Sequence, residues 1–269
     1  MRKITLALSF VVASITGAAQ GHEFWIDPLT FFVQPGTPVR ADIKVGENFK
    51  GTPSVYLPSR FNRFDIGTAA GFAAVQSRQG DRPALNQIAP NGLAVVVHET
   101  TNSQLTYTEF AKFEKFVSHK DAYWVIDEHR ARGLPEDEFV EVYSRYAKSL
   151  IAVGSGQGAD RTVGLLTEIV ALANPYTDNL DTGLPVRVLY QGAERGCAQV
   201  EVLDRDTGCA VRDILQTPNA NGAARIPVKP GHDYMLDSVV LRTPEGTAAK
   251  NPKAVWESLW ANLTFAVPG

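Results

Sequence analysis

Five histidines, His22, His98, His119, His129 and His232, are the residues of this 269-residue chain best suited to chemistry, because a neutral imidazole binds borderline divalent metals near neutral pH. They come without the partners that other reactions need. No Gly-x-Ser-x-Gly elbow, His-Glu-x-x-His helix, dinucleotide fingerprint or Walker loop accompanies them, so a hydrolase or nucleotide-dependent reading has no foothold. The glycines of 154–159 read as loop glycines, not as a phosphate cradle.

His22 stands out for what precedes it. Arg2 and Lys3 form a positive n-region, residues 4–15 are almost wholly apolar, and residues 17–21 supply the small side chains that signal peptidase requires, so residues 1–21 read as a signal peptide. Export to the periplasm or beyond is expected. Cleavage after Gly21 would make His22 the first residue and place an α-amine beside its imidazole, a chelating pair for Cu(II), Ni(II) or Co(II). Cleavage after Ala19 is equally legal and would leave Gln20 in front. The square-planar terminal copper site needs His third in the chain, and Phe24 stands there instead, so a second ligand must come from elsewhere.

His98 is the nearest helper in kind. It ends the most apolar run of the chain, 92–98, at a strand mouth where a scaffold presents ligands, although a plain polar residue at such a mouth has the same signature. Glu99 would face the opposite side. His119 and His129 fall at the end of one helix and late in the next, where imidazole otherwise meets the carbonyl dipole. His232 follows Pro230 and Gly231 in a turn, where exposure is the default. The candidate metal ligands are therefore His22, His98, His119 and His129, with affinity expected to fall as pH drops through the imidazole range.

Without the leader the chain has 24 basic and 29 acidic residues and no basic stripe, which gives no reason to expect nucleic acid. No second apolar segment is long enough to span a membrane. The only cysteines, Cys197 and Cys209, lie twelve residues apart without nearby His, and in an oxidising compartment they suit a disulfide across a hairpin better than a zinc site.

The elements that must position these residues are mostly strands. Val39, Ala41, Ile43 and Val45 alternate with polar residues, and further strands are expected at 53–58, 61–66, 72–77, 84–89 and 92–98. Between about 108 and 147 the period changes to that of helices. Thr108 can cap a first helix with Phe110, Phe113, Phe116 and Val117 on one side, a second runs from Asp121 to Arg132, and a third starts near Glu136 and includes Tyr143, Tyr146 and Ala147. Strands resume at 149–153 and 165–172, and 173–183 reads as a linker. Beyond it, strands at 184–191, 197–204, 224–228, 234–242 and 256–267 suit an immunoglobulin-like or transthyretin-like sandwich. The fold expected is all-β, with β-sandwich domains at 22–175 and 183–269 and a helical insertion in the first. Trp256 and Trp260 share a strand face, either as a stacking platform or, more simply, as packing between the domains.

The segments His22-Glu-Phe-Trp-Ile-Asp-Pro, Tyr143-Ser-Arg-Tyr-Ala-Lys-Ser-Leu, Glu168-Ile-Val-Ala-Leu-Ala-Asn-Pro-Tyr, Leu184-Pro-Val-Arg-Val-Leu-Tyr-Gln-Gly and Trp256-Glu-Ser-Leu-Trp-Ala-Asn-Leu-Thr-Phe occur in this order over nearly the whole mature chain. The sequence thereby resembles a family of exported bacterial proteins described as the periplasmic component of nickel and cobalt uptake systems and otherwise of unknown function. The resemblance implies nickel or cobalt as the metal, a membrane metal transporter as partner, and a metal-facing end at His22, Phe24 and Trp25. It also implies a histidine in the strand 234–241, where this chain has Ser238 and Val240 instead. The expected function is non-enzymatic binding of a transition-metal ion or small metal chelate for uptake or handling. A copper protein using a terminal-histidine brace, oxidative in the active case, and a metal-free envelope interaction module are the alternatives.

Overall fold

The alternation from Val39 to Val45 does build a half-buried strand, and most of the chain follows it into β structure. The computed structural model describes residues 22–206, 211–216 and 221–269, the segment 211–216 by its backbone alone, so the expected signal peptide and Cys209 lie outside the described residues. In chain order the strands are β1 (Glu23–Pro28), β2 (Phe32–Val33), β3 (Pro38–Glu47), β4 (Lys50–Ser54), β5 (Phe61–Thr68), β6 (Gly71–Ala74), β7 (Leu85–Ile88), β8 (Gly92–Thr100) and β9 (Ser103–Tyr107). Helices α1 (Phe110–His119) and α2 (Trp124–Ala131) come next. The chain returns to strands with β10 (Phe139–Val153), β11 (Thr167–Ala171), β12 (Leu184–Tyr190), β13 (Ala193–Glu194), β14 (Val200–Arg205), β15 (Val211–Gln216), β16 (Ala223–Ile226), β17 (Asp233–Arg242) and β18 (Ala254–Ala266).

A ten-stranded sheet in the order β15-β14-β17-β18-β10-β8-β5-β6, with β2 and β9 also paired to β10, is the middle layer. Because side chains alternate along β8, its two faces enter different cores. Ala94 and Val96 meet Phe24, Ile26 and Ala41 of the sheet β1-β3-β4-β7 on one side, while Val95 and Val97 meet Ile169, Val186 and Val188 of the sheet β11-β12-β13-β16 on the other. The protein is thus all-β with a small helical insertion, the helices covering the part of the first face that β1 and β3 leave open. There Phe113, Phe116 and Val125 bury Trp256 and Trp260 of β18, so these tryptophans form no exposed platform and instead pack the carboxy-terminal part of the chain on the helical insertion. Strands from both sides of 173–183 share the middle sheet, through the parallel pairing of β10 with β18.

The insertion is shorter than its periodicity suggests. The third helix expected from Glu136 is instead β10, and Glu109 rather than Thr108 precedes the first turn of α1. The reason is burial: β10 is covered on both faces, so its apolar residues run nearly continuously and lose the period of two that marks a half-buried strand. One glycine has a defined role nearby. A Cβ on Gly51 of β4 would lie 2.5 Å from the ring of Trp25, which fills that space and packs on Phe49, Leu203 and Met235.

The middle sheet also buries charge. Lys148 of β10 lies between Asp160 (2.8 Å) and Glu168 (3.0 Å), all three side chains almost wholly buried, and Asp160 accepts a further hydrogen bond from the backbone N–H of Ala171. Such a group is tolerated only because each charge has a partner.

Candidate functional site

A cavity of about 380 Å³ opens where β1 and β3 cross the middle sheet beside β5, β8 and β10. Its walls are aromatic: Phe24 from β1, Phe61 and Phe64 from β5, and Tyr56. Phe64 sits directly opposite His98 in the pairing of β5 with β8, and this register carries the imidazole to the cavity. The ring of His98 lies 4.9 Å from Phe64, 5.2 Å from Phe24 and 5.3 Å from Phe61. Only 5% of the residue is exposed, and burial pushes its pKa down to about 3. Its Nδ1 is buried without a hydrogen-bond partner, an uncommon state for such an atom. Glu99 does face away, and accepts a hydrogen bond from Asn62 Nδ2.

Two guanidinium groups share the cavity with this imidazole. Arg60 ends the 3-10 turn Pro58–Arg60 at the exposed rim. Arg145 projects from β10 between Phe24 (5.6 Å) and Tyr143 (4.6 Å), its Nη2 donates to the carbonyl of His22 (3.1 Å), and its Nε is buried without a partner. Burial, offset by the nearby Tyr143 hydroxyl and by Asp237 and Glu141, holds its pKa below the usual guanidinium range. The lining contains no Asp or Glu. His22 itself is exposed, with its Nδ1 3.7 Å from Glu47, and reaches the cavity through the contact of its carbonyl with Arg145.

Next to the cavity, between the start of β1 and the end of α1, runs a buried polar seam that sequence reasoning missed. Lys120 lies 2.5 Å from Glu201 and 3.2 Å from Asp237, with Trp260 under its ammonium at 4.8 Å. His119 meets the other oxygen of Glu201 at 2.6 Å, so it serves the seam and not the cavity. Despite burial, the hydrogen bonds and charges of His119 and Lys120 bring Glu201 down to about 2. Glu23 has the opposite fate: burial first, then the nearby Asp237, raises its pKa to about 8. Asp237 Oδ1 and both polar side-chain atoms of Asn262, its neighbour across β17 and β18, are buried without partners among the described residues. The available signal was an acid at an inward position of an otherwise apolar strand, as with Glu201 among Val200, Val202 and Leu203.

The remaining histidines lie away from the cavity. His129 is fully buried, its Nδ1 accepting from Trp256 Nε1 (3.0 Å) and its Nε2 bonded to the carbonyl of Pro135 (2.9 Å), so no lone pair is left for a metal. His232 is half-buried beyond hydrogen-bond reach of Asp204, at 3.7 Å, and its Nδ1, like that of His98, is buried without a hydrogen-bond partner. Of the four histidines expected as ligands, the structure places His98 in the cavity lining, leaves the His22 imidazole exposed beside Glu47 with only its carbonyl on Arg145, and directs His119 and His129 elsewhere. Among the described residues no three or more His, Cys, Asp or Glu side chains are grouped as a metal cage. Cys197 is exposed ahead of β14; the bridge expected for it needs Cys209, outside the described residues.

The model of the family described as a domain of unknown function, DUF4198, matches residues 19–241. The chain belongs to this family. The match of the DUF4198 family covers β1 through nearly all of β17, and therefore includes every residue that lines the cavity. No curated protein matches the chain. A solved structure of a tetra-tandem repeat in the extending region of a large adhesion protein is similar at 11% identity, over 91% of this chain, with a TM-score of 0.19. The chain spans about half, 49%, of that protein's length, and a likeness at this score carries no argument. No helix among the described residues is long and apolar enough to cross a membrane.

Proposed function

We propose that this DUF4198 protein is an exported, non-enzymatic binding protein for a divalent transition metal, nickel or cobalt in the first place and copper in the second, handled in the periplasm for delivery to a membrane transporter. The observation that supports the reading is the imidazole of His98, buried in a cavity with a nitrogen that no protein group uses and uncharged at any pH above about 3. A metal requires that lone pair free of a proton. His22, tethered to the same cavity through Arg145, would add its imidazole and, after cleavage behind Gly21, its α-amine. Two residues cannot complete a coordination shell, so water or an organic chelator would supply the rest.

Titration of untagged, mature protein with Ni²⁺, Co²⁺ and Cu²⁺ tests this. His98→Ala should weaken binding roughly 10- to 100-fold, and one alanine added ahead of His22 should do comparable harm by converting the amine to an amide. The contribution of His98 should survive acidification well below pH 6, unlike that of an exposed histidine. Equal isotherms for all three proteins would overturn the reading.

A further inference from the structure

The cavity carries more positive charge than a bare cation would favour. Arg145 is enclosed between two aromatic rings with its Nε buried and partnerless, Arg60 stands at the rim, and the lining has no Asp or Glu to neutralise either. The acids that offset its burial, Asp237 and Glu141, lie outside the lining, so inside the cavity the guanidinium is left for an anion to answer, and its planar edge matches a carboxylate with two parallel hydrogen bonds. The faces of Arg145 are taken by Phe24 and Tyr143 and one Nη2 hydrogen by the carbonyl of His22, which leaves the edge at Nε, the nitrogen without a partner, for recognition.

The rest of the cavity selects for a flat apolar body. Phe24, Phe61 and Phe64 surround His98, and Tyr56, stacked on Phe64 at 29°, directs its hydroxyl away to the carbonyl of Val75 (3.2 Å). At about 380 Å³ the space lies at the small end of the range for ligand pockets, enough for one ring with short substituents. Such a ring gains offset or edge contacts with the phenylalanines. A neutral His98 can offer one N–H or one lone pair to a polar substituent.

We propose that the cavity binds a small planar carboxylate, its anionic group on Arg145 with help from Arg60 and its ring among Phe24, Phe61 and Phe64. The ligand can be a free organic acid or the organic chelator around a metal. The inference does not depend on the metal reading, since it rests on the guanidinium groups and the aromatic walls.

Calorimetry with three single-ring probes separates the cases: benzoate, its uncharged counterpart benzamide, and picolinate, which also chelates nickel. Each is titrated into metal-free protein and again with nickel present. Benzoate and picolinate should bind metal-free protein, benzamide at least tenfold more weakly. Arg145→Gln should weaken benzoate at least tenfold without changing benzamide. Arg60→Gln should shift benzoate in the same direction by less, and its exposed position makes misfolding no explanation. If nickel tightens picolinate in the wild type and not in His98→Ala, the ligand is a metal chelator; if nickel has no effect, it is a free acid. Benzoate binding no better than benzamide, or unaltered benzoate isotherms in both arginine variants, would overturn the proposal. Failure of the metal reading alone would show as Ni²⁺ isotherms indifferent to His98→Ala while benzoate still depends on Arg145.

Discussion

Lys148→Met is expected to cost about 3–5 kcal/mol of stability, a large part of the total for a domain of this kind. Methionine replaces the volume of the lysine stem, so packing is nearly conserved and the effect isolates the charge. What remains is Asp160, in the loop after β10, and Glu168 of β11, both buried without the ammonium that they contact. Each also accepts backbone N–H groups, from Arg161 and Ala171 for Asp160 and from Val163 for Glu168, so neither can turn away without breaking further bonds. Urea unfolding of wild type and variant measures the difference. A loss under about 1 kcal/mol would mean that the carboxylates take up protons or water at little cost, and that the ion triad is not what fixes this part of the sheet.

The second large effect is in pH. A histidine held at about 3 in the folded state and 6.5 when unfolded takes its proton only on unfolding, so its contribution is complete above pH 6.5 and is lost as pH falls toward 3. For His98 the full loss corresponds to roughly 4–5 kcal/mol. Glu201, lowered to about 2, and His129, lowered by burial, act in the same direction. Glu23 acts in the other. With a pKa near 8 folded and 4.5 unfolded, it favours the fold below pH 4.5 and loses that contribution as pH rises to 8, by a similar roughly 4–5 kcal/mol. Stability should therefore peak between about pH 4.5 and 6.5 and decline on both sides. Glu23→Gln should flatten the alkaline limb and His98→Phe the acid one, as measured by urea midpoints across the range. A wild type whose stability rises steadily from pH 5 to 8 would show that Glu23 is ionised in the fold.

The strands that enclose one core and leave one face half-exposed were legible from alternation, as for Val39 to Val45, and α1 was legible from the spacing of its three phenylalanines and Val117. β10 was not. A strand buried on both faces writes no alternation, and Tyr143, Tyr146 and Ala147 happen to fall at helical spacing. That error hid the cavity as well, because Arg145 becomes an inward residue only when 139–153 is a strand. His98 could be placed from its own strand, whereas Arg60 and Phe24 join it through tertiary crossings that local sequence does not encode. His119 and His129 looked like ligands for want of their partners: Glu201 and Trp256 lie about 80 and 127 residues further along the chain.

The parallel pair of β10 and β18 has a kinetic consequence. Its partners, such as Tyr143 and Ser258, are 115 residues apart, yet they form the centre of the widest sheet. Closing so long a loop must precede any gain from the contacts it permits, which makes folding slow and leaves the open edges of β8-β10 and β17 waiting meanwhile. The pairing at the centre of the sheet cannot form until the strand ending at Ala266 is available, so the two parts of the sheet stay unjoined until then.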